Sequence, residues 1–289
     1  MEFKYNASAL AAGGVIRSQH ITTVIPSIAS VALAPTGGEG KTVVSNYFSE
    51  ELSFAHAETR VSGKRRGDKF ITFTYVFIKN LRVFDKLAIG ELRGTVTSIH
   101  SDRDRDGDGD DDHDFQLEAS YRDVRAAGHE VVPELDVCVG SLKRYRHLSD
   151  VIKPRTAQAL PPGLIAPADA QALAERFNTT SPAQLEKLVG ERRALHGSLV
   201  ERVDGRVTGK HHKVFVDKLG TVRFGELMFK PGRRSVSLLR INFGRNDTFA
   251  PLPENVQSFA LENTESTSAP DDGSLTIASV EGNGTPIYP

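Results

Sequence analysis

The sequence predicts a mainly β fold: an antiparallel β-sandwich or partly closed β-barrel with two short helices and a flexible acidic C-terminal segment. Three observations predict this fold class. Apolar and polar residues alternate over long stretches between residues 29 and 139, which is the period of β-strands. Turn-forming residues separate these stretches at short intervals, which favours hairpins. Only the region between residues 154 and 195 changes to a helical period.

Length and composition allow one sizeable folded unit. The chain has 289 residues, of which 39% are apolar, with 15 Phe and no Trp. We predict a β-rich domain over residues 1–245 with a helical insertion at about 165–196, a flexible linker over 246–273, and a C-terminal strand or tail over 274–289. The single cysteine, Cys138, favours a reducing compartment, so a cytoplasmic location is predicted. No stretch of 18 apolar residues occurs, so neither export nor a membrane span is expected.

Two segments show the strand period most clearly. In FITFTYVFI, residues 70–78, large apolar residues alternate with two threonines. In FQLEASYR, residues 115–122, every second residue is apolar and the residues between are polar. Turns at 63–67 and 126–128 separate neighbouring strands. The predicted faces are Ile71, Phe73, Tyr75 and Phe77 opposite Thr72 and Thr74 in the first segment, and Phe115, Leu117, Ala119 and Tyr121 in the second.

Two helices are predicted inside the insertion. Residues 168–177, ADAQALAERF, place their apolar side chains on one stripe. Residues 181–195 begin with Ser181 as N-cap, Pro182 at the first helical position and Gln184 closing a capping box.

The β pattern resumes after these helices. Residues 213–244 predict three antiparallel strands, with turns at Leu219–Gly220 and Pro231–Gly232. The stretch SLTIASVEGNG, residues 274–284, has the composition of a closing strand.

The formal net charge of −1 is the sum of two strongly acidic segments and a basic remainder. Residues 102–114 contribute −6 and residues 247–289 contribute −7, which leaves +12 for the remainder of the chain. A basic body with two acidic segments indicates either an anionic partner or masking of the basic surface by the acidic segments.

The acidic stretch SDRDRDGDGDDDHDF, residues 101–115, holds eight aspartates. Counted from Asp102, it matches most oxygen ligands and the glycine of a calcium-binding loop. The twelfth position is His113, where such a loop has glutamate, and both flanks are predicted strands. Two alternatives therefore stay open: a loose Ca²⁺ site, completed by Asp112 or Asp114, or a solvated acidic insertion. The candidate metal ligands are Asp102, Asp104, Asp106, Asp108 and Asp110.

A glycine-rich segment, APTGGEGKT at residues 34–42, resembles the end of a phosphate-binding loop. The resemblance implies a nucleotide hydrolase in which Lys41 meets phosphate and Thr42 meets Mg²⁺. Pro35 stands where the loop has glycine, and no alternation of strands and helices follows. A glycine-rich turn between strands is the alternative interpretation. The residues that carry the resemblance are Gly37, Gly38, Gly40, Lys41 and Thr42.

Four basic segments coincide with predicted turns or strand ends: GKRRGDK, KRYRH, GKHHK and KPGRR. If they converge, they form a surface for a polyanion such as nucleic acid. Proteins that bind single-stranded nucleic acid stack its bases on aromatic side chains, and no aromatic residues interleave with these basic clusters. Ordinary solvated turns are therefore the alternative interpretation.

The sequence shows no recognisable set of catalytic residues. The sequence contains no G-x-S-x-G, H-E-x-x-H or C-x-x-C motif, and Cys138 lies in the apolar LDVCVG, where a packed thiol is expected. Adjacent His211 and His212 point to opposite faces of a strand. We therefore predict a non-catalytic β-rich binding or interaction protein, whose partner is an unidentified protein or polyanion. The alternatives are a calcium-binding module, a nucleic-acid or other polyanion binder, and a nucleotide hydrolase.

Overall fold

The computed structural model describes residues 2–17, 22–101, 113–152, 160–161, 163–205, 208–210, 212–244 and 272–287. The strands are β1 (Glu2–Arg17), β2 (Thr22–Ile28), β3 (Val31–Ala32), β4 (Gly38–Phe48), β5 (Leu52–Arg66), β6 (Lys69–Val83), β7 (Leu87–Ser101), β8 (His113–Ala126), β9 (His129–Leu135), β10 (Leu195–Ser198), β11 (Val200–Gly205), β12 (Thr208–Lys210), β13 (Lys213–Val216), β14 (Gly220–Lys230), β15 (Arg233–Asn242) and β16 (Asp272–Ile287). The helices are α1 (Val137–Ser141), α2 (His147–Ile152), α3 (Ala170–Arg176) and α4 (Pro182–Gly190).

Within these described residues, the strands form two antiparallel sheets. The nine-stranded sheet follows the order β12-β13-β14-β15-β16-β1-β2, with β10 beside β14 and β3 beside β1. The seven-stranded sheet follows the order β11-β9-β8-β7-β6-β5-β4. Buried side chains of both sheets and of the helices form one apolar core. The predicted mainly β fold is thus confirmed, and of the two predicted architectures the sandwich is the one observed.

Hairpins build most of the seven-stranded sheet, because each strand from β4 to β8 pairs with the next strand along the chain. In the other sheet, β14 and β15 form the predicted hairpin around Pro231–Gly232. Gly232 adopts φ +68° there, a conformation that glycine accepts without a steric penalty. The stretch predicted as a C-terminal strand or tail is β16, which lies between β15 and β1. Of the flexible linker predicted over residues 246–273, residues 246–271 lie outside the described residues, and residues 272 and 273 begin β16.

The alternation predicted for β6 is confirmed, and its threonine face is the one that points into the core. Thr72 and Thr74 are completely buried. Their hydroxyls donate to the carbonyl oxygens of Asn283, at 3.3 Å, and Glu281, at 3.0 Å, both on β16 of the opposite sheet. These hydrogen bonds satisfy the buried hydroxyls, so threonine is tolerated between the sheets. The larger residues on the other face of β6 consequently turn outward.

The apolar face predicted for residues 115–122 packs inward on β8. Phe115 is buried, and Leu117, Ala119 and Tyr121 pack against the core. The Tyr121 hydroxyl donates to the Leu238 carbonyl oxygen on β15 at 2.8 Å, so its polar end is satisfied.

The two predicted helices are α3 and α4. The Ser181 hydroxyl caps α4 by accepting from the Gln184 amide at 3.2 Å, as predicted. The Gln184 side chain returns to the amide of Thr180 at 2.8 Å, one residue before the expected partner. The described chain also contains two short helices that were not predicted, α1 and α2, of five and six residues. No helix in the described parts of the chain is long and apolar enough to cross a membrane.

Candidate functional site

The five candidate calcium ligands, Asp102, Asp104, Asp106, Asp108 and Asp110, lie outside the described residues, as does Asp112. The flanking segments are strands, as expected, because β7 ends at Ser101 and β8 begins at His113. Asp114, the remaining alternative ligand, forms an ion pair with Arg144, with Oδ1 and Nε 2.7 Å apart. Among the residues that the structure describes, no group of three or more His, Cys, Asp or Glu side chains is placed to hold a metal ion.

The segment that resembles a phosphate-binding loop is part of a strand from Gly38 onward. Lys41 and Thr42 stand opposite Arg60 and Thr59 in the β4–β5 ladder. The Thr42 hydroxyl donates to the Ser30 carbonyl oxygen at 3.1 Å. A phosphate-binding loop needs successive backbone amides that converge on one point and a helix that starts behind them. The segment has neither feature, so the interpretation as a phosphate-binding loop is corrected to an edge strand.

Three of the four basic segments converge at one end of the sandwich. The tip of the β5–β6 hairpin, residues 63–69, lies there because Lys69 pairs with Ser101 at the end of β7. The segment 143–147 lies beside it, since the Phe115 amide donates to the Lys143 carbonyl oxygen at 3.0 Å. The segment 230–234 reaches the same end, because the Arg234 guanidinium lies 4.6 Å from the centroid of the Phe115 ring. The fourth segment, 209–213, is only partly described.

This basic end is also where the acidic segment 102–112 leaves and re-enters the described chain, after Ser101 and before His113. The segment contains seven aspartates and two arginines. The two described residues that flank this acidic sequence, Ser101 and His113, thus lie at the end where the three basic segments converge.

The outer face of the seven-stranded sheet carries a row of three aromatic side chains, Phe73, Tyr75 and Phe77, which we call the aromatic row. All three project from β6 away from the core and are partly exposed. The rings of Phe73 and Tyr75 are nearly parallel, with centroids 6.5 Å apart and an interplanar angle of 15°. Partly exposed aromatic side chains in a continuous row on a regular sheet are typical of a contact surface.

Arginines from both neighbouring strands lie over the central ring of the row. The guanidinium of Arg60 on β5 is 5.9 Å from the Tyr75 centroid, and that of Arg93 on β7 is 5.6 Å away. Both distances are within the range of cation–π attraction. Burial raises the pKa of Tyr75, while Arg93 and Arg60 partly oppose the effect, so the phenol stays protonated at neutral pH.

A shallow depression of about 370 Å³ lies beside Phe73, between strands β4, β5 and β6. Its volume falls within the range of small-molecule sites. Its lining combines an aromatic ring, a hydroxyl group and side chains of both charges. The lining residues are Glu39, Gly40, Lys41, Arg60, Val61, Ser62 and Phe73.

Glu58 on β5 organises the charges at this depression. Its carboxylate is 3.3 Å from Lys41 Nζ, forms a hydrogen bond with Arg60 Nε, and is 3.8 Å from His56 Nε2. Its side chain is only 13% exposed. Burial alone would raise the pKa of Glu58, but hydrogen bonds and charge from Arg60 and Lys41 outweigh burial and lower that pKa. Glu58 is therefore ionised at neutral pH and holds both cations in place.

Cys138 is buried at the start of α1, in agreement with the packed thiol that was expected. Burial raises the pKa of Cys138 to about 12, and the neighbouring Asp136 adds to the effect. The thiol therefore stays protonated at neutral pH and is a poor nucleophile.

A protein family described as "Domain of unknown function (DUF8256)" matches residues 3–230. The chain belongs to this family. The matched region includes the whole seven-stranded sheet of this DUF8256 member, and hence the aromatic row and the depression; β15 and β16 follow it. No curated protein and no solved structure matches the chain.

Sequence reasoning identified the alternation on β6 and singled out Lys41, but it did not bring them together. Arg60, Glu58 and Arg93 were missed because they belong to strands that meet β6 only through the ladder register. The available signal was the pair of threonines in phase with Val76 and Ile78, which together mark the inward face of β6.

Proposed function

We propose that this DUF8256 protein is a non-catalytic binding protein whose ligand-binding surface is the outer face of the seven-stranded sheet around the aromatic row. The observation that carries the proposal is the orientation of β6. Its threonines are buried and hydrogen-bonded, while Phe73, Tyr75 and Phe77 remain partly exposed. Aromatic area that stays exposed does not contribute to the hydrophobic stabilisation of the fold. Such exposed area is expected where the side chains contact a ligand.

The surface has the rigidity that a binding site needs. The aromatic row lies on a central strand that is paired along its length with β5 and β7. Arg60 is held by both Tyr75 and Glu58, and Lys41 is held by Glu58. Side chains fixed before binding lose less entropy when the ligand arrives.

The chemistry of the depression supports binding more than catalysis. A general acid must carry a proton at the working pH. Burial raises the pKa of Glu58, but Arg60 and Lys41 lower it by more, so Glu58 carries no proton at neutral pH. Within the described part of the chain, no histidine or carboxylate side chain forms a hydrogen bond that would activate the Ser62 hydroxyl at the depression.

A panel of ligand classes tests the proposal. The full chain is mixed separately with neutral oligosaccharides, polygalacturonate oligomers, a thymidine oligonucleotide and a proline-rich peptide, and contact is measured by saturation-transfer NMR. At least one class is expected to bind, and its signal should fall sharply in Phe73→Ala and Tyr75→Ala.

The matched control is Phe48→Ala, which removes an aromatic side chain that is 82% exposed at the end of β4, outside the aromatic row. This variant should bind like the unchanged protein. Binding by none of the classes, or binding that the two row variants leave intact, would show that the outer face is not the site.

A further inference from the structure

Resting on the proposed function, we infer that the ligand of the outer face is a neutral oligosaccharide, one sugar ring of which occupies the depression against Phe73. Three properties of the depression support this class of ligand: its balanced charge, its mixture of donors and acceptors, and its single accessible aromatic platform.

The charges at the depression cancel. Lys41 and Arg60 are both paired with Glu58, and Glu39 adds a further carboxylate to the lining. A phosphate or carboxylate ligand would gain little net attraction here, because Glu58 already balances the charge of the two cations and Glu39 would repel a second anion. An anionic ligand is therefore disfavoured, although two cations lie at the site.

The same side chains suit hydroxyl groups. A sugar hydroxyl both donates and accepts a hydrogen bond, so it pairs equally well with a carboxylate and with an ammonium or guanidinium group. Lys41 has three donor protons and Arg60 five, so both retain donors while bound to Glu58. Glu39 offers acceptors and Ser62 offers both functions. A hydroxyl-rich ligand satisfies this set without breaking the existing ion pairs.

Phe73 supplies the apolar platform. Its ring lines the depression and carries no polar atom, so it suits the C–H face of a sugar ring. A single-stranded nucleic acid would require several free ring faces for successive bases. The central ring of the row does not meet this requirement, because Arg60 and Arg93 already lie over Tyr75. The geometry therefore favours a saccharide over a single strand.

The experiment compares neutral hexasaccharides of glucose, xylose, mannose and N-acetylglucosamine with polygalacturonate and a thymidine oligonucleotide, by calorimetric titration of the full chain. At least one neutral hexasaccharide should bind, and Phe73→Ala should weaken it about tenfold. Phe73→Tyr should retain the platform and the binding, while Phe48→Ala serves as the matched control. Affinity should change less than about twofold between about 50 and about 300 mM NaCl, because a neutral ligand releases no counterions.

The possible failures are distinguishable. If polygalacturonate or the oligonucleotide binds through Phe73 and no neutral saccharide does, the saccharide inference is wrong and the proposed binding surface stands. If a saccharide binds equally well to Phe73→Ala, whose unfolding midpoint shows it to be folded, the depression is not its site. If no ligand depends on the aromatic row, both proposals fail together.

Discussion

The Thr74 hydroxyl on β6 donates a hydrogen bond to the Glu281 carbonyl oxygen on β16, with the two oxygens 3.0 Å apart. This contact joins the two sheets across the core. Because neighbouring residues of a strand point to opposite faces, it also fixes Phe73 and Tyr75 on the outer face. The orientation of the candidate binding surface thus depends on polar contacts inside the sandwich.

Replacing Thr74 with valine should lower the free energy of unfolding by about 1 kcal/mol, because a buried hydrogen bond is lost while the shape is nearly kept. Urea denaturation measures the change. The control is Thr97→Val on the outer face of β7, which should stay within about 0.5 kcal/mol of the unchanged protein. Equal effects of the two substitutions would contradict an inward role for Thr74.

Ser62→Leu should abolish ligand binding at the outer face while leaving stability within about 0.5 kcal/mol. Ser62 lines the depression and stands opposite Glu39 and Phe73 in the ladders, so a larger side chain fills the space between them. Titration with the ligand found in the panel and a thermal melt measure the two quantities. Undiminished binding would place the ligand elsewhere.

Glu58→Gln should destabilise the protein at neutral pH by about 1 kcal/mol, since Lys41 and Arg60 lose their shared partner. The folded-state pKa of Glu58 is lowered, so its stabilising effect is present above the ordinary carboxyl pKa and is lost as pH falls through the lowered value. The difference between Glu58→Gln and the unchanged protein should therefore shrink below about pH 4. Urea titrations at a series of pH values measure it, and a difference that grows on acidification would oppose this assignment.

The calcium alternative predicts that millimolar CaCl₂ raises the midpoint of thermal unfolding, because an ion that binds only the folded state stabilises it. Replacing the candidate ligands with asparagine should abolish the rise, and MgCl₂ should not reproduce it. The same midpoint with and without calcium would favour the solvated acidic insertion. The substitutions are made together at Asp102, Asp104, Asp106, Asp108 and Asp110.

The polyanion alternative makes a separate prediction about charge. Three basic segments lie at the end of the sandwich where the described chain stops at Ser101 and resumes at His113, and the sequence between these residues holds seven aspartates. Changing all seven to asparagine should raise the salt concentration that elutes the protein from a heparin column, because neutralising charge is removed. The control changes the exposed Asp85 and Asp123, which lie outside that segment. Elution at an unchanged salt concentration would indicate that the basic segments do not form a joint surface.

The sequence predicted the strands between residues 29 and 139 and between 213 and 244, the hairpin turns and the N-cap of α4, because each depends on a local pattern of residues. It could not predict α1 and α2, since five and six residues are too few to show a helical period. Hydrophobicity also fails to orient β6: its aromatic residues are the more apolar set, yet the threonines are buried because carbonyl groups on β16 accept their hydrogen bonds.

The candidate site was harder to predict because its residues meet through register and not through sequence proximity. Tyr75 stands opposite Arg60 on one side and next to the position of Arg93 on the other only in the observed pairing of β5, β6 and β7. Lys41 attracted attention for its resemblance to a phosphate-binding residue, and the structure assigns it instead to an ion pair with Glu58.

The position of β16 between β15 and β1 also has a kinetic consequence. Val280 of β16 pairs with Ala9 of β1, so neighbours in the middle of this sheet come from opposite ends of the described chain. Forming contacts between residues so distant in sequence first costs the conformational entropy of closing a long loop. Such non-local contacts therefore slow folding. During synthesis, one edge of β1 therefore stays unpaired until β16 leaves the ribosome. We expect chaperones to bind the chain during this interval, because unpaired strand edges are prone to aggregation.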